Sequence, residues 1–192
     1  MQRVPLLVGD TPSPRRYPLT RAHAPAATAA GDALDAATLR RALGHFATGV
    51  TVVTAETSGG RRAGLTANSF TSVSLEPPLV SVCVASTSAG AGVIRERGAF
   101  AVHVLDAAQE DVARRFARRG AQKPDLSSLA RSAFGNPVLE RYLLLIECAL
   151  HADYPGGDHR IFVGRVLRLD AVAGADAALT FFRGRYSSLD AG

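Results

Sequence analysis

Residues 64–80 read Gly64-Leu65-Thr66-Ala67-Asn68-Ser69-Phe70-Thr71-Ser72-Val73-Ser74-Leu75-Glu76-Pro77-Pro78-Leu79-Val80. Six hydroxyl or amide side chains occupy the nine positions from Thr66 to Ser74, between two apolar runs. A solvated loop of that polarity ordinarily carries Lys, Glu or Asp, and these nine positions carry none. Short neutral donors and acceptors suit a neutral or anionic polar ligand that lies close to backbone. They equally suit a Ser/Thr-rich edge strand and turn. Pro77 and Pro78 cannot donate to a ladder, which puts them at a sheet edge or a break. Residues 79–85 then alternate as a buried strand, with Val80, Val82 and Val84 on one face and Leu79, Ser81 and Cys83 on the other.

Upstream, residues 50–54 read as a strand and 57–61 as a hairpin turn leading into Gly64. Before them Asp35 can cap a packing helix, with Leu34 and Leu39 as a staple, Leu39, Leu43 and Phe46 on one face, and Gly49 as its stop. Residues 1–31 are rich in Pro, Ala, Thr and Arg without a period, and read as a flexible tail ahead of a domain over 32–192.

Downstream, Ser86, Thr87 and Ser88 precede small residues and a helix predicted over 92–97, ended by Gly98. Hydroxyls before a helix start can form an anion pocket, through backbone N–H groups and the dipole. They can also be a simple Ser cap. Residues 100–105 alternate as a strand. Asp106 and Gln109 form a capping box for a helix with Ala108, Val112 and Phe116 inward. Arg114, Arg115, Arg118 and Arg119 fall on its outer side, as a solvated face, a subunit contact or a phosphate partner. Residues 121–137 read as irregular. Residues 142–152 and 161–169 are strands joined by a turn over 154–159, with His159 at its mouth beside Asp158, a carboxylate able to orient the ring or raise its pKa. Residues 178–186 form a last strand, whose aromatic and Arg content suits an interface or a planar phosphorylated ligand. Many strands, few helices and no βαβ rhythm predict a mainly β, antiparallel barrel with flanking helices.

A chain of 192 residues with 47% apolar and 20% charged residues suits one globular domain. The net charge of +5 is scattered without aromatic interleaving, so nucleic acid is not an expected partner. No apolar run approaches the roughly 18 residues of a membrane span, and the first residues lack a signal-peptide pattern. Cys83 and Cys148 lie in apolar strands, outside any CxxC or Cys/His cluster, so they read as buried inert thiols in a reducing compartment and no metal is expected. The expected location is the cytoplasm.

Four blocks, 46–54, 64–80, 157–166 and 182–186, together resemble the flavin reductase-like family. The resemblance spans about 34–189. It implies a six-stranded antiparallel split barrel of Greek-key type, a homodimer, with flavin near the subunit interface. It further implies reduction of FMN or FAD by NADH or NADPH, with reduced flavin passed to a partner monooxygenase. By motif position, Thr66, Ala67, Asn68, Ser69 and Ser72 would line the ring and ribityl chain. Ser86, Thr87 and Ser88 would hold phosphate. His159 would act on the nicotinamide side with Arg183, Gly184, Arg185 and Tyr186. His103 stands where that family commonly carries Asn. The implied chemistry is hydride transfer between cofactors, needing no nucleophile and no metal from the protein. A non-catalytic flavin carrier, or an enzyme that keeps its FMN and acts on its own organic substrate, are the alternatives. Arg160, Arg183 and Arg185 are each candidates to meet a 2′-phosphate.

Overall fold

The computed structural model describes residues 35–118, 120, 124–172 and 177–190. The predicted tail therefore lies outside the described residues. The elements are α1 (Ala36–Leu43), β1 (Thr48–Gly49), β2 (Thr51–Glu56), β3 (Arg62–Ala67), β4 (Thr71–Leu75), β5 (Pro78–Ala85), α2 (Ala89–Arg97) and β6 (Ala99–Val104). After a short 3-10 turn (Ala107–Gln109) come α3 (Glu110–Ala117), β7 (Ala130–Arg131), β8 (Pro137–Val138), β9 (Leu144–Gly156), β10 (His159–Ala171), β11 (Ala177–Phe182) and β12 (Arg185–Asp190). The antiparallel, mainly β architecture is the one expected. The main sheet runs β3-β2-β6-β9-β10-β5-β4, every neighbour antiparallel. It curls far enough for β3 to approach β5.

Alternation puts Val82, Phe100, Val102, Ile146 and Phe162 on the inner face, where they form one core with Val93 and Ile94 of α2. Full burial of a Phe of this kind is worth about 2–3 kcal/mol. Gly164 makes room for this packing, because a Cβ there would stand 2.5 Å from Cζ of Phe100. A second cluster, with Val50, Val52, Leu105, Phe116 and Leu179, lies under α3 and the β11–β12 hairpin. Thr51 donates to the Ala67 carbonyl at 2.7 Å, and Thr54 to that of Pro137 at 2.6 Å, so buried hydroxyls on β2 tie it to its neighbours.

Several local expectations are corrected. The first helix ends at Leu43, and none of its residues is buried; Leu43 and Phe46 are 64% and 78% exposed, so this helix does not pack on the protomer's core. Thr48 and Gly49 instead begin a ladder with β11. α2 starts at Ala89 rather than Gly92, because Ser88 caps it. The capping box at Asp106 and Gln109 is present, but Gln109 and Ala113 turn inward where Ala108 was expected. Residues 130–138 hold a small antiparallel pair in a stretch read as irregular. Residues 178–186 are not one strand but two, joined by a tight turn in which Arg183 and Gly184 both have positive φ, 49° and 79°. Both cysteines are free. Cys148 is buried, which pushes its thiol up to about 12, whereas Cys83 is only half-buried.

Candidate functional site

The organising stretch becomes the end of β3, a bend at residues 68–70 and the edge strand β4, which pairs with β5 (Thr71 opposite Ser81, Ser72 opposite Val80). Two of its hydroxyls fasten the segment to other elements, while the exposed Thr71 hydroxyl donates locally to the Ser72 carbonyl at 3.3 Å. Thr66 donates to the Ala113 carbonyl at 2.6 Å, fastening α3 to β3. Ser69 Oγ accepts from Cys83 N–H at 2.9 Å and stands 3.1 Å from the Cys83 carbonyl, fastening the bend to β5. Ala67 is buried. Asn68, Thr71 and Ser72 face solvent, so they are the neutral polar groups this segment offers to a ligand.

The second predicted group follows β5. Ser86 and Thr87 are exposed, and Ser88 accepts from Gly90 N–H at 3.2 Å as the cap of α2. Ser86, Ser88 and Ala91 N–H groups already donate to the carbonyls of Asp158, Ala85 and Ser88. That leaves the N–H groups of Thr87 and Ala89, with the hydroxyls, to meet an anion at this helix start.

His159 opens β10 directly opposite Ala85, and Gly157 (φ 68°) supports the turn before it. Ser86 N–H donates to the Asp158 carbonyl at 2.9 Å, so the loop over 86–88 and His159 are joined through one turn. The His159 ring is partly exposed, and its Nδ1 lies 2.7 Å from Asp158 Oδ1. That hydrogen bond with His159 holds the Asp158 carboxyl below its ordinary value. Nδ1 is thereby occupied and Nε2 is left to face a ligand.

The block over 183–186 sits elsewhere. Arg183 N–H donates to the Gly44 carbonyl at 2.7 Å, and Phe182 meets the His45 ring edge-on at 6.5 Å. Tyr186 packs on Phe181 at 5.2 Å, under the Arg114 guanidinium 5.0 Å away; its pKa is raised, chiefly by burial. Its ring is therefore part of the second core cluster rather than an open stacking surface. Among the described residues no hydrogen bond, ion pair or ring contact joins this hairpin to His159 or to residues 86–88. Arg160, a candidate for a 2′-phosphate, is held by Asp153: Nε lies 2.5 Å from Oδ1. Arg95 of α2 takes the other oxygen of Asp153 at 3.1 Å. Sequence reading missed Asp153, although an acid seven residues before Arg160 across a predicted hairpin is the pattern of a cross-strand ion pair.

A cavity of about 220 Å³ lies at the other end of β3, lined by Arg62, Gly64, Gly90, Phe116, Asp125 and Leu126 among others. It does not include the residues predicted for the flavin ring. Of those, Asn68 and Ser72 are on open surface at the bend and on β4, the edge strand beside β5.

A family model for the flavin reductase like domain matches residues 43–190. The chain belongs to the flavin reductase-like family. It is 43% identical over 135 residues to the stachydrine N-demethylase reductase subunit Stc3 of Rhizobium meliloti, covering 70% of this chain but only 59% of that protein's length. The reductase subunit HsaB of a flavin-dependent monooxygenase from Rhodococcus jostii is 36% identical over 161 residues, covering 84% of this chain and 82% of HsaB. Among solved structures, BorF, the flavin reductase component of a bacterial two-component tryptophan halogenase, superposes with TM-score 0.76 at 41% identity, over 82% of this chain and all of BorF. The Streptomyces globisporus NADH:FAD oxidoreductase SgcE6, solved with NAD and FAD fragments, superposes with TM-score 0.75 at 39% identity, over 82% of this chain and 94% of SgcE6.

Proposed function

We propose that this chain is the reductase of a two-component system: it reduces free FMN or FAD with NADH or NADPH, and a separate flavin-dependent monooxygenase consumes the product. The observation that carries the reading is the junction of the loop over 86–88 with His159, opposite Ala85 and tied through the Asp158 carbonyl. It supports a phosphate end and a nicotinamide end on one rigid strip, with Asn68, Thr71 and Ser72 on the neighbouring strand edge.

Bound flavin supplies the chemistry, accepting a hydride from reduced nicotinamide. The chain's part is positional. Ser86, Thr87 and the N–H groups of Thr87 and Ala89 hold phosphate without a formal positive charge. Asn68 and Ser72 offer neutral hydrogen bonds to a polar ring edge, where donors fixed in advance stabilise developing negative charge. Asp158 fixes the His159 ring through Nδ1, so its Nε2 orients the nicotinamide. Thr66 and Ser69 act through the scaffold, holding α3 and the bend in place. Arg160 is committed to Asp153, leaving Arg183 and Arg185 as the predicted cations for a 2′-phosphate.

A homodimer and a cytoplasmic location complete the proposal. The exposed apolar side chains of Leu43, Phe46 and Phe182, close to one another through the Gly44–Arg183 hydrogen bond, support the dimer. Two unbridged thiols support a reducing compartment. Among the described residues, no helix is long and apolar enough to cross a membrane. The deciding experiment is steady-state oxidation of NADH and NADPH with FMN, FAD and riboflavin in turn, alongside sedimentation. Absence of flavin-dependent oxidation with every pair would sink the enzymatic reading, and a monomer at micromolar concentration would sink the dimer.

A further inference from the structure

His159 and Arg160 open β10 opposite Ala85 and Val84, next to the loop over 86–88, while Arg95 lies in the last turn of α2, and each has a carboxylate beside it. His159 has Asp158 at 2.7 Å. Arg160 and Arg95 share Asp153, at 2.5 and 3.1 Å. Across the helix, Arg61 is paired with Glu96. The Asp153 carboxylate is largely shielded, its side chain 14% exposed, and the Arg160 side chain is 25% exposed, so this pair is held inside the mouth rather than waving in solvent. Asp153 also lies opposite Phe162, below the turn, and so draws the Arg160 guanidinium away from the hairpin tip where His159 and the loop meet. One acid thus faces two guanidinium groups and offsets one of their two positive charges, and it is Arg160, two residues from the turn, whose charge is drawn back from the loop.

Resting on the function proposed above, we infer that Asp153 is the residue that keeps the hold on the flavin phosphate weak, so that flavin exchanges as a substrate instead of remaining as a prosthetic group. A phosphate at this loop meets hydroxyls and backbone N–H groups only. With Asp153 neutralised, the net charge of the three side chains rises from one to two, and Arg160, opposite Val84 near the end of β5, is released to turn toward the tip.

The test replaces Asp153 by Asn, which keeps size and shape and removes the charge. FMN and riboflavin titrations, followed by quenching of flavin fluorescence, give the two dissociation constants. Asp153→Asn is expected to bind FMN about three- to fivefold tighter, as the loss of one partly screened negative charge near a phosphate allows. It should bind riboflavin within twofold of wild type, with the KM for FMN falling alongside the dissociation constant. Adding Arg160→Gln should remove the gain, and Asp153→Glu should restore wild-type behaviour. Weaker FMN binding, or equal changes for FMN and riboflavin, would overturn the inference and make Asp153 a packing clamp. A second measurement needs no variant: with neutral donors alone, FMN affinity of the wild-type chain should change less than twofold between 20 and 200 mM salt. A steep salt dependence would also overturn it. Wild-type reduction of FMN by NADH is the control: its failure rejects the proposed function, whereas the Asp153 outcomes bear only on how phosphate is held.

Discussion

Lowering the pH from 7 to 5 should destabilise this protein through His103, a residue outside the site. His103 is fully buried on β6, its Nδ1 3.1 Å from the Val52 carbonyl and its Nε2 3.3 Å from the Leu139 N–H. The only tautomer that satisfies both neighbours carries its proton on Nδ1 and accepts at Nε2, so a second proton would face the Leu139 N–H head-on. Burial lowers its pKa from 6.5 to about 4, against a small opposing effect of the Val52 hydrogen bond. Between these values the unfolded chain binds a proton that the folded chain does not, so stability falls as pH drops through that window and is flat above it. At pH 5 the difference is about 2 kcal/mol, rising to about 3 kcal/mol below pH 4. Urea unfolding at pH 7, 6 and 5 should show it as a midpoint shift on the order of 1 M. His103→Asn keeps a donor for Val52 but orphans the Leu139 N–H, so it should be less stable at every pH yet lose the slope between pH 6.5 and 5. Carboxylates held low by partners, such as Glu56 beside Arg62 and Arg131, lose their contribution at lower pH and do not confuse this window. Parallel wild-type and variant slopes would refute the tautomer argument.

His159→Ala should raise the KM for NADH about tenfold while changing the flavin dissociation constant less than threefold; unchanged nicotinamide kinetics would remove His159 from the site. Replacing Ser86 and Ser88 together by Ala should weaken FMN and FAD but spare riboflavin, and should lower stability by about 1 kcal/mol through the lost cap of α2. Equal losses for all three flavins would place the phosphate elsewhere. Gly64→Ala puts a Cβ 2.4 Å from Cε1 of Phe116, so thermal unfolding should drop by an amount equivalent to about 1–3 kcal/mol; an unchanged midpoint would mean that α3 shifts freely.

The strands were legible because β5, β6 and β9 carry short apolar runs, buried over three or four consecutive residues as in a sheet covered on both faces, and the capping box at Asp106 because its two side chains act within four residues. What failed depended on partners distant in sequence. Leu39, Leu43 and Phe46 have the spacing of a buried helix face, yet each stays exposed among the described residues, and periodicity carries no information about what an apolar face meets. The last hairpin was read as one strand although Gly184 marks its turn, because the other turn position is Arg183, a residue that rarely adopts positive φ. Hydroxyl enrichment singled out this segment but could not separate Thr66 and Ser69, engaged with Ala113 and Cys83, from Asn68 and Ser72, which face outward. Strand parity does part of that sorting, and the bulge between Ser72 and Ser74 interrupts it.

The division of labour within one polar segment explains why so neutral a surface can serve redox exchange. Ser69 cross-links the bend to β5 through both polar groups of Cys83, and Thr66 anchors α3, so the outward Asn68 and Ser72 ride on a backbone fixed from behind. Their hydrogen bonds then need little reorganisation when a ring lies across them, which is where preorganised dipoles outperform water. Charge of either sign at these positions would bias the flavin toward one redox state and slow its departure. The charged groups stand one layer back instead, where Asp153 holds Arg160 and Arg95 and Asp158 holds the His159 ring, fixing geometry around the mouth. On the proposed function, a rigid backbone with neutral, outward-facing donors would hold a phosphorylated ring long enough for hydride to cross and still let it go.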